Sequence, residues 1–220
     1  MSKGLLRALG HTVTVGGIAA VLTVLGGLFM VYGVRLSGRA LPRILMPVTA
    51  IGYAAPGAVL GLGILVPLAA FDNRVADFLY ETTGYDPGLV LTGSAAALVI
   101  AYVVRFFALS QGAADAALGR VSPSLPMAAR SLGQSAGGVL RRVYAPMIRA
   151  SVASTLLLVF VDAVKELPAT LLLRPFNYDT LATRVHERAS LEKIAEASTA
   201  SLMIVLVGLI AVLLLARANR

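Results

Sequence analysis

Asp162, Lys165 and Glu166 stand at the end of an apolar stretch, at spacings of three and four that bring them to one face of a helix. A charge held at membrane depth costs about 2.5–3.5 kcal/mol, so such groups turn toward a cavity or a partner. Two carboxylates with one ammonium between them would present hard oxygens to a cation in transit. With Pro168 just beyond, the set is a candidate lining for the outer part of a translocation path. Tyr178 and Asp179 would add two further oxygens. The alternative is that the span ends at Val161 and these charges are solvated among headgroups. The chain holds no cysteine and only two histidines, His11 and His186, so no resident metal site is expected.

Two other patterns suggest chemistry and fail on context. Gly133-Gln134-Ser135-Ala136-Gly137 spells G-x-S-x-G, but a nucleophile elbow needs a strand, a turn, a helix and a nearby histidine. Its neighbours read as short helices, and both histidines are expected on the other side of the membrane. An intramembrane Ser/His hydrolase would need a Ser and a His paired at matching depth, and His11 and His186 are expected near the surface. A phosphate-cradling G-x-x-x-x-G-K-[ST] loop is absent, since none of the three lysines follows a glycine. The chain is therefore not read as an enzyme, and any nucleotide chemistry would belong to a partner.

The elements that position these residues are membrane helices. The 220 residues are 58% hydrophobic and 14% charged, with mean hydropathy +0.83. A soluble domain carries about 25% charged residues. Long charge-free windows predict helical spans at 12–34, 44–70, 88–110 and 197–216, and a shorter window of 12 residues between Arg149 and Asp162 predicts a span at 150–168 that carries charged groups, with an N-terminal tail at 1–11 and a polar loop at 111–149. The 44–70 span holds Pro47, Pro56 and Pro67 and should be kinked or broken. Gly57 and Gly61 form a small-xxx-small pair suited to close packing. Residues 166–196 are too charged to cross: 167–175 reads as a short dip or cap and 180–196 as an amphipathic surface helix, with Leu181, Val185 and Ala189 on one face. The net charge of +8 fits anionic lipid and a cytoplasmic partner rather than nucleic acid. Counting Lys and Arg by segment places the N-terminus outside and the C-terminus inside, by 11 basic residues to 8.

With that orientation, residues 111–149 face the cytoplasm. Within them MAARSLGQSAGGVLRRVYAP, residues 127–146, carries three arginines and no acid. Pro123 and Pro126 suit a helix start. Met127–Leu132 reads as one short helix, Gly133 as a left-handed stop, and Val139–Tyr144 as part of a second. Pro146 should break the chain before the next span. The outcome is a helix–turn–helix on the membrane surface, with small residues where another protein can approach. A plain positive-inside loop is the alternative.

The same residues resemble the EAA loop of bacterial ABC-importer permeases, whose pattern is EAA, three residues, Gly, nine residues and I-x-L-P. Ala128, Ala129, Gly133 and Pro146 match at the expected spacing, and Val143 takes the place of the Ile. Met127 replaces the Glu and Ala145 the Leu. AYVVRFFAL at 101–109, KELPATLLLRPF at 165–176 and Asp179-Thr180-Leu181-Ala182 resemble the ferric-iron type of these permeases.

The resemblance implies an all-α polytopic fold of about five spans, the MetI-like type-1 permease core, across 12–217, as one half or the C-terminal part of a fused double permease. It implies that Ala128, Ala129, Gly133, Val143 and Pro146 couple the chain to an ATPase subunit, with ATP and Mg bound there and no cofactor here. A second permease half or copy and an extracellular or periplasmic solute-binding protein would complete an importer in the bacterial inner membrane. Ferric iron is the implied solute. Thiamine, polyamine, sulfate and molybdate permeases share the architecture, and a truncated, inactive permease part is a further alternative. The missing Glu puts in doubt whatever polar contact it makes with the ATPase.

Overall fold

The computed structural model describes residues 3–37, 44 and 46–218. The loop arginines Arg39 and Arg43 and the terminal Arg220, used in the orientation count, lie outside them. Helix α1 spans Lys3–Ser37. A 3-10 turn at Met46–Thr49 leads into the short α2, Ala50–Ala54, and α3 follows at Gly57–Thr83. Helix α4 is Ala95–Gly119, and α5 is Ser124–Ser131. Then come α6 (Ala136–Val139), a π-helical turn (Leu140–Tyr144) and α7 (Ala145–Val164). The chain ends with α8 (Pro168–Leu173), α9 (Leu181–Ser190) and α10 (Ile194–Ala218). Among the described residues, five stretches are long and apolar enough to cross a membrane: Lys3–Leu36, Gly57–Thr83, Ala95–Gly119, Ala136–Val164 and Ile194–Arg217.

The core lies where α1, α4 and α7 meet. Ala19, Ala20, Ala97, Ala101 and Ala163 are buried there beside Val15, Leu98, Tyr102, Phe106 and Val159. Lipid offers no hydrophobic drive for helices to associate, so close approach of small residues supplies the packing. A second cluster, Val31, Ala114, Ala117, Leu118 and Ile148, binds the same three helices toward the α5 end. A third joins Leu5 and Ala8 of α1 to Leu181 of α9 and Ala200 of α10 at the opposite end. On α10, Leu202, Val205, Leu209 and Leu213 are more than half exposed, as suits a lipid-facing helix.

Several expected boundaries shift. Within the expected tail, residues 3–11 are helical: α1 already runs from Lys3, with Leu5 and Ala8 buried. A charge-free window marks what must lie in hydrocarbon, not where a helix begins, and Lys3 and Arg7 are carried on its emergent end. The expected break in the second span falls at Ala55–Pro56, where Ala55 turns extended ahead of the proline. Helix α3 passes through Pro67 and continues to Thr83, taking in residues expected in a loop. The third span is 95–119 rather than 88–110, because Asp72 receives the N–H groups of Leu91 and Thr92 and Ser94 caps the helix. The expected 111–149 loop therefore loses its first residues to α4 and its last to α7. The surface helix ends at Ser190, with Ala182 and Thr183 buried and Ala189 exposed.

Candidate functional site: a surface hairpin and a buried ion pair

The hairpin 120–144 is held at the end of the bundle shared by the C-terminus of α1, the C-terminus of α4 and the start of α7. Tyr32 of α1 donates to the Ala136 carbonyl at 2.6 Å and meets Tyr144 edge to face at 5.6 Å. Arg120 donates to Ser151 Oγ at 2.7 Å, while Arg35 pairs with Asp115 at 2.7 Å. Helix α5 has no buried residue. Met127 and Leu132 are 66% and 81% exposed, an apolar presentation outside the bundle. Ala128 is exposed and Ala129 half-buried between them.

Gly133 ends α5 as expected. Its φ is +80°, the left-handed region that a side chain disfavours. Gln134 N–H reaches back to Ala129 O at 3.0 Å and Gly133 N–H to Arg130 O at 2.9 Å, closing a Schellman cap. Ser135 then caps α6, accepting from Gly138 N–H at 3.2 Å. That is the whole of its role in the G-x-S-x-G pattern. It sits at the Tyr32 end of α1, while His11 is 21 residues away along the same helix, roughly 30 Å.

Pro146 does not break the chain. Helix runs from Ala136 to Val164 through the π turn. A proline clashes with the carbonyl four residues back and donates no hydrogen bond. The wide turn at Leu140–Tyr144, with Ala145 N–H bonded to Leu140 O, makes room for the ring. Val143, inside that turn, packs partly buried against the Ala114–Ile148 cluster.

At the other end of α7 the structure separates the expected charged triad. Helix α7 stops at Val164, so the three residues do not share one face. Lys165 pairs with Asp162 at 2.7 Å and is 62% exposed. Glu166 turns inward, 6% exposed, and pairs with Arg105 of α4 at 2.8 Å. Lys165 thus neutralises one carboxylate, and a different cation meets the other. Glu166 does not line an open path in this conformation.

The Arg105–Glu166 pair ties together the two places where apolar helix is interrupted, between α2 and α3 at Pro56 and between α7 and α8 at Lys165–Leu167. Arg105 Nη1 donates to the Ala55 carbonyl at 3.1 Å, filling the acceptor that the Pro56 break leaves without a helical donor. Glu166 Oε1 accepts from Ala169 N–H at 3.2 Å and so caps α8. Thr170 donates to the Glu166 carbonyl at 2.7 Å and takes the Tyr102 hydroxyl proton at 2.6 Å. A Cβ on Gly57 would lie 2.8 Å from Glu166 Oε1 and 3.1 Å from Pro168, so only glycine fits. Gly61 lies against Ala169 and Leu172. The Gly57/Gly61 pair thus packs α3 on α8.

Sequence reasoning missed Arg105: the count of basic residues took it with a cytoplasmic stretch 105–149, although it falls within the expected 88–110 span. The available signal was AYVVRFFAL, where Arg105 stands as the one charge in nine residues. Asp179 pairs with Arg174, and Tyr178 stacks on His11 at 3.8 Å. Among the described residues no three His, Cys, Asp or Glu side chains gather to hold a metal.

Residues 13–220 match the family of binding-protein-dependent transport system inner membrane components. The chain belongs to that family. It is 29% identical over 96% of its length to the Fe(3+)-transport system permease protein FbpB 2 of Haemophilus influenzae, of which it covers 38%. It is 27% identical to the putative 2-aminoethylphosphonate transport system permease protein PhnV of Salmonella typhimurium, covering 96% of this chain and 73% of that one. The chain spans less than two-fifths of the ferric relatives it matches. In fold it superposes on a chain of the bacterial alginate ABC transporter with TM-score 0.72 at 18% identity. With a chain of the MetNI methionine ABC transporter the score is 0.67 at 14% identity, covering both chains in full. The five-span, all-helical permease core expected from the sequence is the fold observed, and the family is one of inner-membrane multi-pass proteins.

Proposed function

We propose that this permease is the membrane part of an ATP-driven importer and that α5 is the surface on which its ATPase subunit docks. The observation that carries this is the hairpin: an eight-residue helix with nothing buried, sealed by Gly133 and fixed to α1, α4 and α7. Ala128 and Ala129 give the close approach, with Met127 and Leu132 as apolar contacts in place of the family's Glu. ATP and Mg bind on the partner. The hairpin and the C-terminus are cytoplasmic, the N-terminus is external, and a solute-binding protein delivers from outside. A second permease half or copy completes the path, and Asp162 and Lys165 at the external end of α7 flank its entrance.

Ferric iron is the proposed solute, on the ferric-type sequence features and the ferric relatives. The phosphonate relative, covered over more of its own length, favours a second reading to be tested alongside. The experiment is uptake of labelled Fe(3+) into vesicles holding the reconstituted complex, with 2-aminoethylphosphonate as competitor. ATP-dependent iron uptake that Gly133→Pro abolishes supports the proposal. Uptake and coupling unchanged in Gly133→Pro would remove the hairpin from the mechanism, and phosphonate uptake alone would reassign the solute.

A further inference from the structure

A groove of about 660 Å³ runs along the seam between α1 and the hairpin-side half of α7, walled by Leu25, Phe29, Ile148 and Val152, with Arg149 part-way along it and Leu140 at its hairpin end. Phe29 stands on it 82% exposed. Arg149 is the one charged residue in its lining, and it is exposed. Arg141 and Arg142, also exposed, lie about two turns away on the same helical stretch. None of the three is in an ion pair among the described residues. From Ala116 to Val161 the chain has five arginines and no acid.

A long apolar cleft with an unpaired guanidinium in its wall, and two more exposed on the same helical stretch toward the hairpin, has the two-part chemistry of a phospholipid. We infer that this groove binds an anionic phospholipid, its acyl chain against Leu25, Phe29 and Ile148 and its phosphate on Arg149, with Arg142 beside it. Guanidinium forks match phosphate oxygens, and basic sites between spans select anionic headgroups on the cytoplasmic side. The choice of leaflet rests on the proposed orientation. A second copy is a poorer occupant: a twofold-related chain laying the same seam here would bring Arg149 toward Arg149 with no acid on either side.

The test is native mass spectrometry of the full chain extracted from equimolar phosphatidylglycerol–phosphatidylcholine vesicles. Wild type should retain one phosphatidylglycerol in preference to phosphatidylcholine. Arg149→Gln and Arg142→Gln should each weaken that retention about fivefold. Ala153→Trp should abolish it by filling the cleft, with helicity checked by circular dichroism; the arginine substitutions, on the surface, stand in if that variant fails to fold. Equal retention of the two lipids, or retention indifferent to both arginines, overturns the site. So does efficient copy-to-copy disulfide formation by Phe29→Cys, clean to read because the chain has no other thiol. Labelling of Arg130→Cys from outside the cell would sink the proposed function and the leaflet while leaving lipid retention, measured in detergent, to be judged by itself.

Discussion

Glu166 and Arg105 show why a single side chain can matter more than its charge. Removing one member strands the other in a dry site, at a cost of about 3–5 kcal/mol, whereas apolar replacement of both is far milder. Glu166→Ala should therefore lower the thermal unfolding midpoint in detergent well below that of the Arg105→Met/Glu166→Leu double variant. An inverted order would mean the pair is not dry. Arg105→Lys should behave nearly as badly as Arg105→Met, because one ammonium cannot reach the carboxylate and the Ala55 carbonyl in the geometry a guanidinium spans. Gly133→Ala, forced to φ +80°, should cost about 1–2 kcal/mol, seen as faster hydrogen exchange at Gln134 and Gly133. Exchange unchanged there would mean the cap does not hold α5.

Among the elements, the two broken spans set the architecture. A Cβ on Gly52 would sit 2.4 Å from the Val104 carbonyl, so α2 lies backbone to backbone on α4. Gly52→Ala must push them apart, and we expect a loss of about 1–3 kcal/mol by chemical denaturation with helicity intact. Wild-type stability in that variant would show that α2 is not held there. The five spans, the Pro56 break and the Gly133 stop were legible because each follows from a local rule: charge-free length, a proline, a glycine. The fate of Pro146 was not, since the π turn that accommodates it depends on Val143 and Tyr144 finding partners on other helices. Nor was the split of Asp162, Lys165 and Glu166, because helical spacing assumes a helix that continues, and α7 ends at Val164 before Pro168. Arg105 was misread because counting charges by loop has no place for a cation whose partner lies 61 residues along the chain.

At the scale of the molecule, both ends of α7 matter at once. The hairpin lies at one end of the bundle and the Arg105–Glu166 junction at the other end of the same helix. Cysteine scanning should label Arg130→Cys only from the cytoplasmic side and Glu81→Cys, near the far end of α3, only from outside; the reverse pattern would invert the proposed orientation. Because the π turn lets helix run unbroken from Ala136 to Val164, those 29 residues form a stiff strut about 43 Å long. A strut has no slack. From Ala136 to Val164 it has no hinge, and two residues beyond its end Glu166 grips Arg105, which bonds the Ala55 carbonyl at the Pro56 break.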